Sequence, residues 1–287
     1  MNKHVFGGLL ITLSMIIFSL LGPFVRYVKL PPLVIIFHTS FFSFVLLLFY
    51  FIWTNKQKSL IIRNDVLWMI MSALFLLGNV YTYYKAYTAT TMANTVLTHY
   101  TAPIFAALLA PVLLREKLER ITIISLAISM TGLFLIASNG LAISTPHFEG
   151  IAYGVLSGFF YGVAILISKK LTNRFHPFVI LFYQCAIISI VIAPFLKTFQ
   201  YTITPEYLLL LIMYSVIINL LACFLYLKGL SYVEAQHAGI LAYSEPVLVV
   251  LIGILFYNEI PKARILLGGL LIVYSGYLIL KAEARRQ

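Results

Sequence analysis

Leu241-Ala-Tyr-Ser-Glu-Pro-Val-Leu-Val-Val-Leu-Ile-Gly253 is an apolar run that carries a carboxylate and a proline, and it has a twin. At an offset of 143 residues the chain reads Thr98-His-Tyr-Thr-Ala-Pro-Ile-Phe-Ala-Ala-Leu-Leu-Ala110. Tyrosine and proline are in register, and Ala102 stands where Glu245 falls. The same offset pairs Gly7 with Gly150, Ser14 with Ser157, Tyr83 with Tyr226, Lys85 with Lys228 and Glu116 with Glu259. One pattern has been used twice.

The pattern belongs to lipid. Of the 287 residues, 62% are hydrophobic and 10% charged, against roughly 45–50% and about 25% in soluble domains. Apolar runs near the length needed to cross a hydrocarbon core, about 20 residues, recur throughout. They fall at about 5–25, 33–53, 66–87, 92–114, 120–138, 149–168, 177–196, 206–228, 235–257 and 263–281. The first follows a single lysine, lacks a small-residue cleavage site and precedes many more, so it reads as a retained helix rather than a signal peptide. None alternates as a membrane barrel strand does, and helices are then what satisfies the backbone in lipid. The expectation is an all-α integral membrane protein of ten transmembrane helices.

Five spans per half place the two halves in opposite orientations, giving an inverted repeat, an architecture of carriers that alternate access around a midplane site. The expected units are 1–140 and 141–287, joined through 139–148. With the N-terminus inside, 14 of the 20 lysines and arginines fall on the cytoplasmic side, so both termini are expected in the cytoplasm of a plasma or inner membrane. That distribution accounts for the net charge of +11 without a nucleic-acid partner. Cys185 and Cys223 lie inside apolar segments and show no metal or disulfide framework.

A proline in the fourth span, the following Arg115-Glu116-Lys117-Leu118, and Glu245-Pro246 with Asn258-Glu259 at the matching places resemble the EamA-type carriers of the drug/metabolite transporter superfamily. The resemblance extends over essentially the whole chain and is strongest in 92–138 and 235–281. It implies a monomeric or homodimeric carrier whose central cavity is lined mainly by the first, third, fourth, sixth, eighth and ninth spans. Two departures stand out. His38 follows Pro32 where an arginine is frequent in such carriers, and Asn258-Glu259 replaces Gly-Glu.

Glu245 is the leading candidate for function. A carboxylate at a helix centre costs about 2.5–3.5 kcal/mol on insertion scales, so it faces a cavity or a partner. It is read as a proton-coupling group or as the counter-ion of a cationic solute; the alternative is a neutral acid bonding one helix to another. Pro103 and Pro246 each delete a backbone donor and kink their helices. Thr95, Thr98 and His99 share the face of Ala102, so His99 either approaches Glu245 across the repeat axis or is a satisfied structural histidine; His38 has the same two readings. Asn79, Tyr83 and Asn219 add polar groups on the third and eighth spans. Ser14, Phe18, Tyr161 and Tyr243 add cavity wall or cation–π surface. Lys85 and Lys228 are read as snorkelling to the interface. Gly150, Gly154, Gly158 and Gly162 form an every-fourth close-packing stripe. Glu116 and Glu259, at helix ends, are read as ion-paired or capping.

The function expected is secondary transport of a small polar metabolite, such as an amino acid or related compound, by alternating access. Its partners are the solute and membrane lipid. A facilitative exchanger or uniporter for a nucleoside, an organic cation or a phosphorylated metabolite is the alternative. There is no G-x-x-x-x-G-K-[ST] sequence and no metal-spaced cluster, so neither an ATP site nor a metal or other cofactor is expected. The nine acidic residues are scattered, which argues against an integral-membrane enzyme.

Overall fold

The computed structural model describes residues 3–20, 27–28, 30–62, 64–137, 147–257 and 262–285. Asn258, Glu259, Arg26, Lys29, Arg63, Arg286 and most of the 139–148 junction lie outside the described residues. The described chain is helical: α1 (Lys3–Phe18), α2 (Pro32–Trp53), α3 (Val66–Ala89), α4 (Met92–His99), α5 (Ala102–Leu113) and α6 (Arg120–Ala137) form the first part. The second comprises α7 (Phe148–Thr172), α8 (Pro177–Ile192), α9 (Pro205–Tyr214), α10 (Cys223–Leu230), α11 (Ala235–Ala242), α12 (Ser244–Tyr257) and α13 (Ala263–Ala284). Among the described residues eight helices are long and apolar enough to cross a membrane, and Lys3–Phe18 is a shorter apolar one. The segment expected at 235–257 is divided into α11 and α12.

Local chemistry sets the helix ends. Pro32, Pro177 and Pro205 open α2, α8 and α9, where a missing N–H costs nothing. The hydroxyls of Thr91 and Thr204 accept from the amides of Asn94 and Tyr207, capping α4 and α9. Asn55 and Arg115, at φ 54° and 59°, turn the chain out of α2 and α5. Between α9 and α10, Ser215–Ala222 winds as a π-helix, a widened turn that sequence periodicity does not announce.

The helices pair across the repeat. α2 lies along α8, and α6 along α13; α1 packs on α10 and its π segment, while α7 packs on α3. Exchanging the halves maps this set of pairs onto itself. The repeat-matched glycines show the same relation at atomic range. A Cβ on Gly7 would sit 2.8 Å from the Gly229 carbonyl oxygen, and one on Gly150 would sit 2.8 Å from the Ala89 carbonyl carbon. Gly132 and Gly268 bring α6 and α13 into backbone contact, a Cβ on either falling within 2.6 Å of the other's carbonyl. Beside them the Ser129 and Ser275 hydroxyls are bonded.

Large apolar side chains point outward, among them Phe49, Trp53, Val112, Ile190 and Leu270. The helix interfaces instead hold glycine, serine and threonine. That distribution suits a lipid surround, where tight packing rather than the exclusion of water joins helices.

One ion pair ties α3 to the end of α7. The Arg174 guanidinium donates to both carboxylate oxygens of Asp65, at 2.8 and 2.9 Å, and Asp65 is buried. Because the arginine is half exposed, Arg174→Ala is expected to cost about 1–2 kcal/mol, the low end for bonds to a charged group. The cost is read as a lower melting temperature in detergent that Arg174→Lys partly restores. An unchanged melting temperature would remove this pair from the account.

Candidate functional site

The fourth and ninth spans are both broken, three residues before their prolines. α4 gives way to α5 at Tyr100–Thr101, and α11 to α12 at Tyr243. Pro103 cannot donate to His99, and the amides of Ile104 and Phe105 both bond to the Thr101 carbonyl, at 2.9 and 3.2 Å. The Tyr100 carbonyl is thereby freed from the helix ladder. It accepts instead from the Tyr243 hydroxyl at 2.7 Å. The two rings, repeat partners of each other, stack at 5.5 Å and 28°. A tyrosine of one half thus fills the backbone vacancy in the other.

The symmetry ends at the hydroxyls. Tyr100 turns its own to Glu245 as a side-chain hydrogen-bond partner. Glu245 lies within the bundle yet is half-buried rather than sealed. Its carboxylate is within electrostatic reach of Tyr83, Tyr161 and Tyr214, on α3, α7 and α9. Tyr226 of α10 stands within electrostatic reach of Tyr161, and its buried hydroxyl has no hydrogen-bond partner among the described residues. A carboxylate bonded to one tyrosine hydroxyl and within electrostatic reach of three other tyrosines has the chemistry to hold a cation, through charge and through cation–π attraction.

His99 joins this aromatic group without pairing to the acid. Its ring stacks on Tyr161 at 5.4 Å and 14°, packs against Tyr83 at 4.2 Å, and meets Tyr100 edge-on. Its Nδ1 bonds to Ser157 Oγ at 2.9 Å. Among the described residues no ion pair links His99 to Glu245; Tyr100 touches both. Tyr83 also bonds to the hydroxyl of Tyr87 at 3.2 Å. One turn before Tyr83, on the same face, the buried Asn79 carries an Oδ1 with no hydrogen-bond partner among the described residues. An orphaned buried acceptor costs about 1–3 kcal/mol, so this atom is poised for a donor.

The other candidates make contacts of their own. Thr98 bonds to the Asn94 carbonyl at 2.6 Å and packs on Gly154. Ser14 is fully buried and donates to Ile11 at 2.6 Å. Phe18 packs against the main apolar core, and Asn219 lies in the π segment. His38 bonds to the Val34 carbonyl of its own helix at 2.8 Å. The Lys85 and Lys228 ammonium groups lie over Tyr81 and Tyr232. Both cysteines are free thiols. Sequence reasoning passed over Tyr100 and Tyr214 as neighbours of Glu245, and Tyr226 beside Tyr161. The only signal for Tyr100 and Tyr226 was their place in the repeat, and Tyr214 had none.

Paired halves, broken spans at the repeat axis and one acid between them define a multi-pass membrane transporter. The chain belongs to the EamA-like transporter family, of the drug/metabolite transporter superfamily; the family matches residues 5–138 and again 148–281. An uncharacterized transporter of Archaeoglobus fulgidus is 28% identical over 277 residues, covering 96% of each chain. A protein of Rickettsia conorii named an S-adenosylmethionine uptake transporter is 25% identical over 264 residues, covering 90% of this chain and 85% of that one. A crystal structure superposes with a TM-score of 0.82 at 17% identity, covering 97% of this chain and 98% of that chain, which is a likeness of fold.

Proposed function

We propose that the protein is a secondary carrier that moves a small polar metabolite bearing a cationic group, an amine or sulfonium, by alternating access. The units 1–140 and 141–287 rock about the axis where Tyr100 and Tyr243 stack, and both termini face the cytoplasm across a plasma or inner membrane. The observation that supports this reading is the half-buried Glu245 carboxylate, bonded to Tyr100 and within electrostatic reach of Tyr83, Tyr161 and Tyr214. Each cation–π contact adds about 0.5–2 kcal/mol to the charge attraction, and the Asn79 acceptor supplies a polar anchor one helix away. The S-adenosylmethionine named for the Rickettsia relative carries a sulfonium and an amine, which fits the same chemistry.

Two modes follow from one carboxylate. In proton antiport, Glu245 holds either the proton or the solute; in facilitated exchange it holds solute alone. Uptake into proteoliposomes with and without an imposed pH gradient separates them. A gradient that drives accumulation in the wild type and not in Glu245→Gln supports antiport through this residue. Accumulation that persists in Glu245→Gln places coupling elsewhere.

A further inference from the structure

The end of the bundle where the two chain termini meet holds a second buried acid that transport by Glu245 does not use. Glu283, near the end of α13, is fully buried, as is His237 in the first turn of α11. His237 Nδ1 lies 2.5 Å from Glu283 Oε1, and its Nε2 lies 3.1 Å from the Thr122 hydroxyl of α6. An imidazole that donates through Nδ1 to the carboxylate accepts the Thr122 proton on Nε2, so both nitrogens are used. From α1, His4 Nδ1 lies 3.1 Å from the other carboxylate oxygen.

A second arm runs beside the first. Glu116, in the α5–α6 connection, accepts from the Ala235 amide at 3.1 and 3.2 Å. It therefore caps α11 of the other half rather than its own helix. Burial raises the Glu116 carboxyl above its ordinary range, and the Ala235 amide pulls it back. Gln236 donates to the Lys117 carbonyl at 2.9 Å. Lys169, from α7, donates to the Leu230 carbonyl at 2.8 Å and stands within electrostatic reach of Glu116, Glu234 and Glu283.

The contacts His4–Glu283, Thr122–His237, Glu116–Ala235 and Lys117–Gln236 cross between the halves, while His237–Glu283 and Lys169–Leu230 hold the second half's own partners in place. Among the described residues, the opposite end is built differently. The repeat partner of His237 is Asn94, whose amide donates within its own half to Thr90 Oγ1 at 2.8 Å. Among the described residues the halves there meet through the exposed pair Tyr27 and Glu206, through His38 against Tyr201, and through apolar side chains such as Val28 against Leu211. One turn inward from His237, Leu241 is wedged between α1 and α13, 3.4 Å and 3.8 Å from Cβ positions built on Gly8 and Gly276. It lies on the way from this end toward Glu245.

We propose that the Glu283–His237 pair, joined to the first half through His4 and Thr122, forms with Glu116 as a second arm a polar latch that closes the termini-bearing end and parts when solute passes there. The latch rests on the carrier reading but not on Glu245 as the binding group. Two conformations related by such a contact differ in population by its differential strength, and weakening it shifts the population toward the open state.

The test labels Leu241→Cys, in a full-length chain carrying Cys185→Ser and Cys223→Ser, with a membrane-impermeant maleimide in vesicles of both orientations. Adding Glu283→Gln is expected to raise the labelling rate about tenfold from the termini-bearing face, with no change from the other. Glu116→Gln, whose side chain lies at the half-buried rim, is expected to act in the same direction. An unchanged rate in both variants overturns the latch, and so does an equal rise from both faces. If Glu283→Gln does not assemble, Glu116→Gln and His4→Gln decide by the same two criteria. Failure of Glu245 as the solute site would appear in binding and leave these rates untouched.

Discussion

Glu245→Gln is expected to lower transport of the cationic solute about a hundredfold while the protein still folds. Glutamine keeps the volume and a hydrogen-bond acceptor for Tyr100, the side-chain partner of the carboxylate. What it removes is the charge. A hydrogen bond to a charged group is worth about 1.5–3 kcal/mol, and every 1.4 kcal/mol is about tenfold in affinity. Stability should move the other way, since a neutral amide is cheaper than a carboxylate in the middle of a span. The expected result is therefore a protein that melts no earlier than the wild type and takes up little solute. Glu245→Asp keeps the charge but withdraws it from Tyr100, and should lie between the two. Wild-type uptake by Glu245→Gln would sink the cation-site reading.

The second large effect lies at Gly162. A Cβ there would fall 2.7 Å from the Ala102 carbonyl oxygen, 2.9 Å from Phe105 Cβ and 3.1 Å from the Ala106 amide nitrogen. Two of these three atoms are backbone, so no side-chain rotation relieves the clash, and α7 must move away from α5. Overpacking of this kind costs about 1–3 kcal/mol. Gly162→Val should reach or exceed the upper figure, because branching adds bulk at the Cβ itself. The displacement would also carry off Tyr161, its immediate neighbour, and Ser157, a little over one turn earlier on the same helix, which both hold His99. Gly162→Val should thus lose both melting temperature and transport. Gly269→Ala is the control: its Cβ would meet only Val247, at an ordinary 3.6 Å. Equal losses in the two variants would show that glycine is needed for its backbone freedom rather than for close approach.

Much of the architecture was legible because lipid imposes it. Run length and composition locate the helices, and the 143-residue offset pairs Gly7 with Gly150, the glycines at the matching α1–α10 and α7–α3 contacts. The tyrosine–proline pairs marked the two breaks, since proline's missing donor acts wherever it stands in a span.

The interior chemistry was less legible. His99 shares a helical face with Ala102 in a continuous helix, but the turn at Tyr100–Thr101 interrupts that helix, and the ring lies on α7 against Ser157 and Tyr161. The π segment shifts the register of the eighth span by a widened turn, and Tyr214 immediately precedes it. Glu283 and His237 passed unnoticed for another reason. Each lies near the end of a span, where a polar residue is expected to meet water. Only the approach of α1, α6 and α11 to α13 encloses them.

The most direct test of the central claim is ligand-induced stabilisation of the purified protein by matched amines, sulfonium compounds and carboxylates, in wild type and Glu245→Gln. The account predicts that cationic solutes raise the wild-type melting temperature, that anionic counterparts do not, and that the effect is lost in Glu245→Gln. Stabilisation by the anions, or by the cations to the same extent in both proteins, would contradict it.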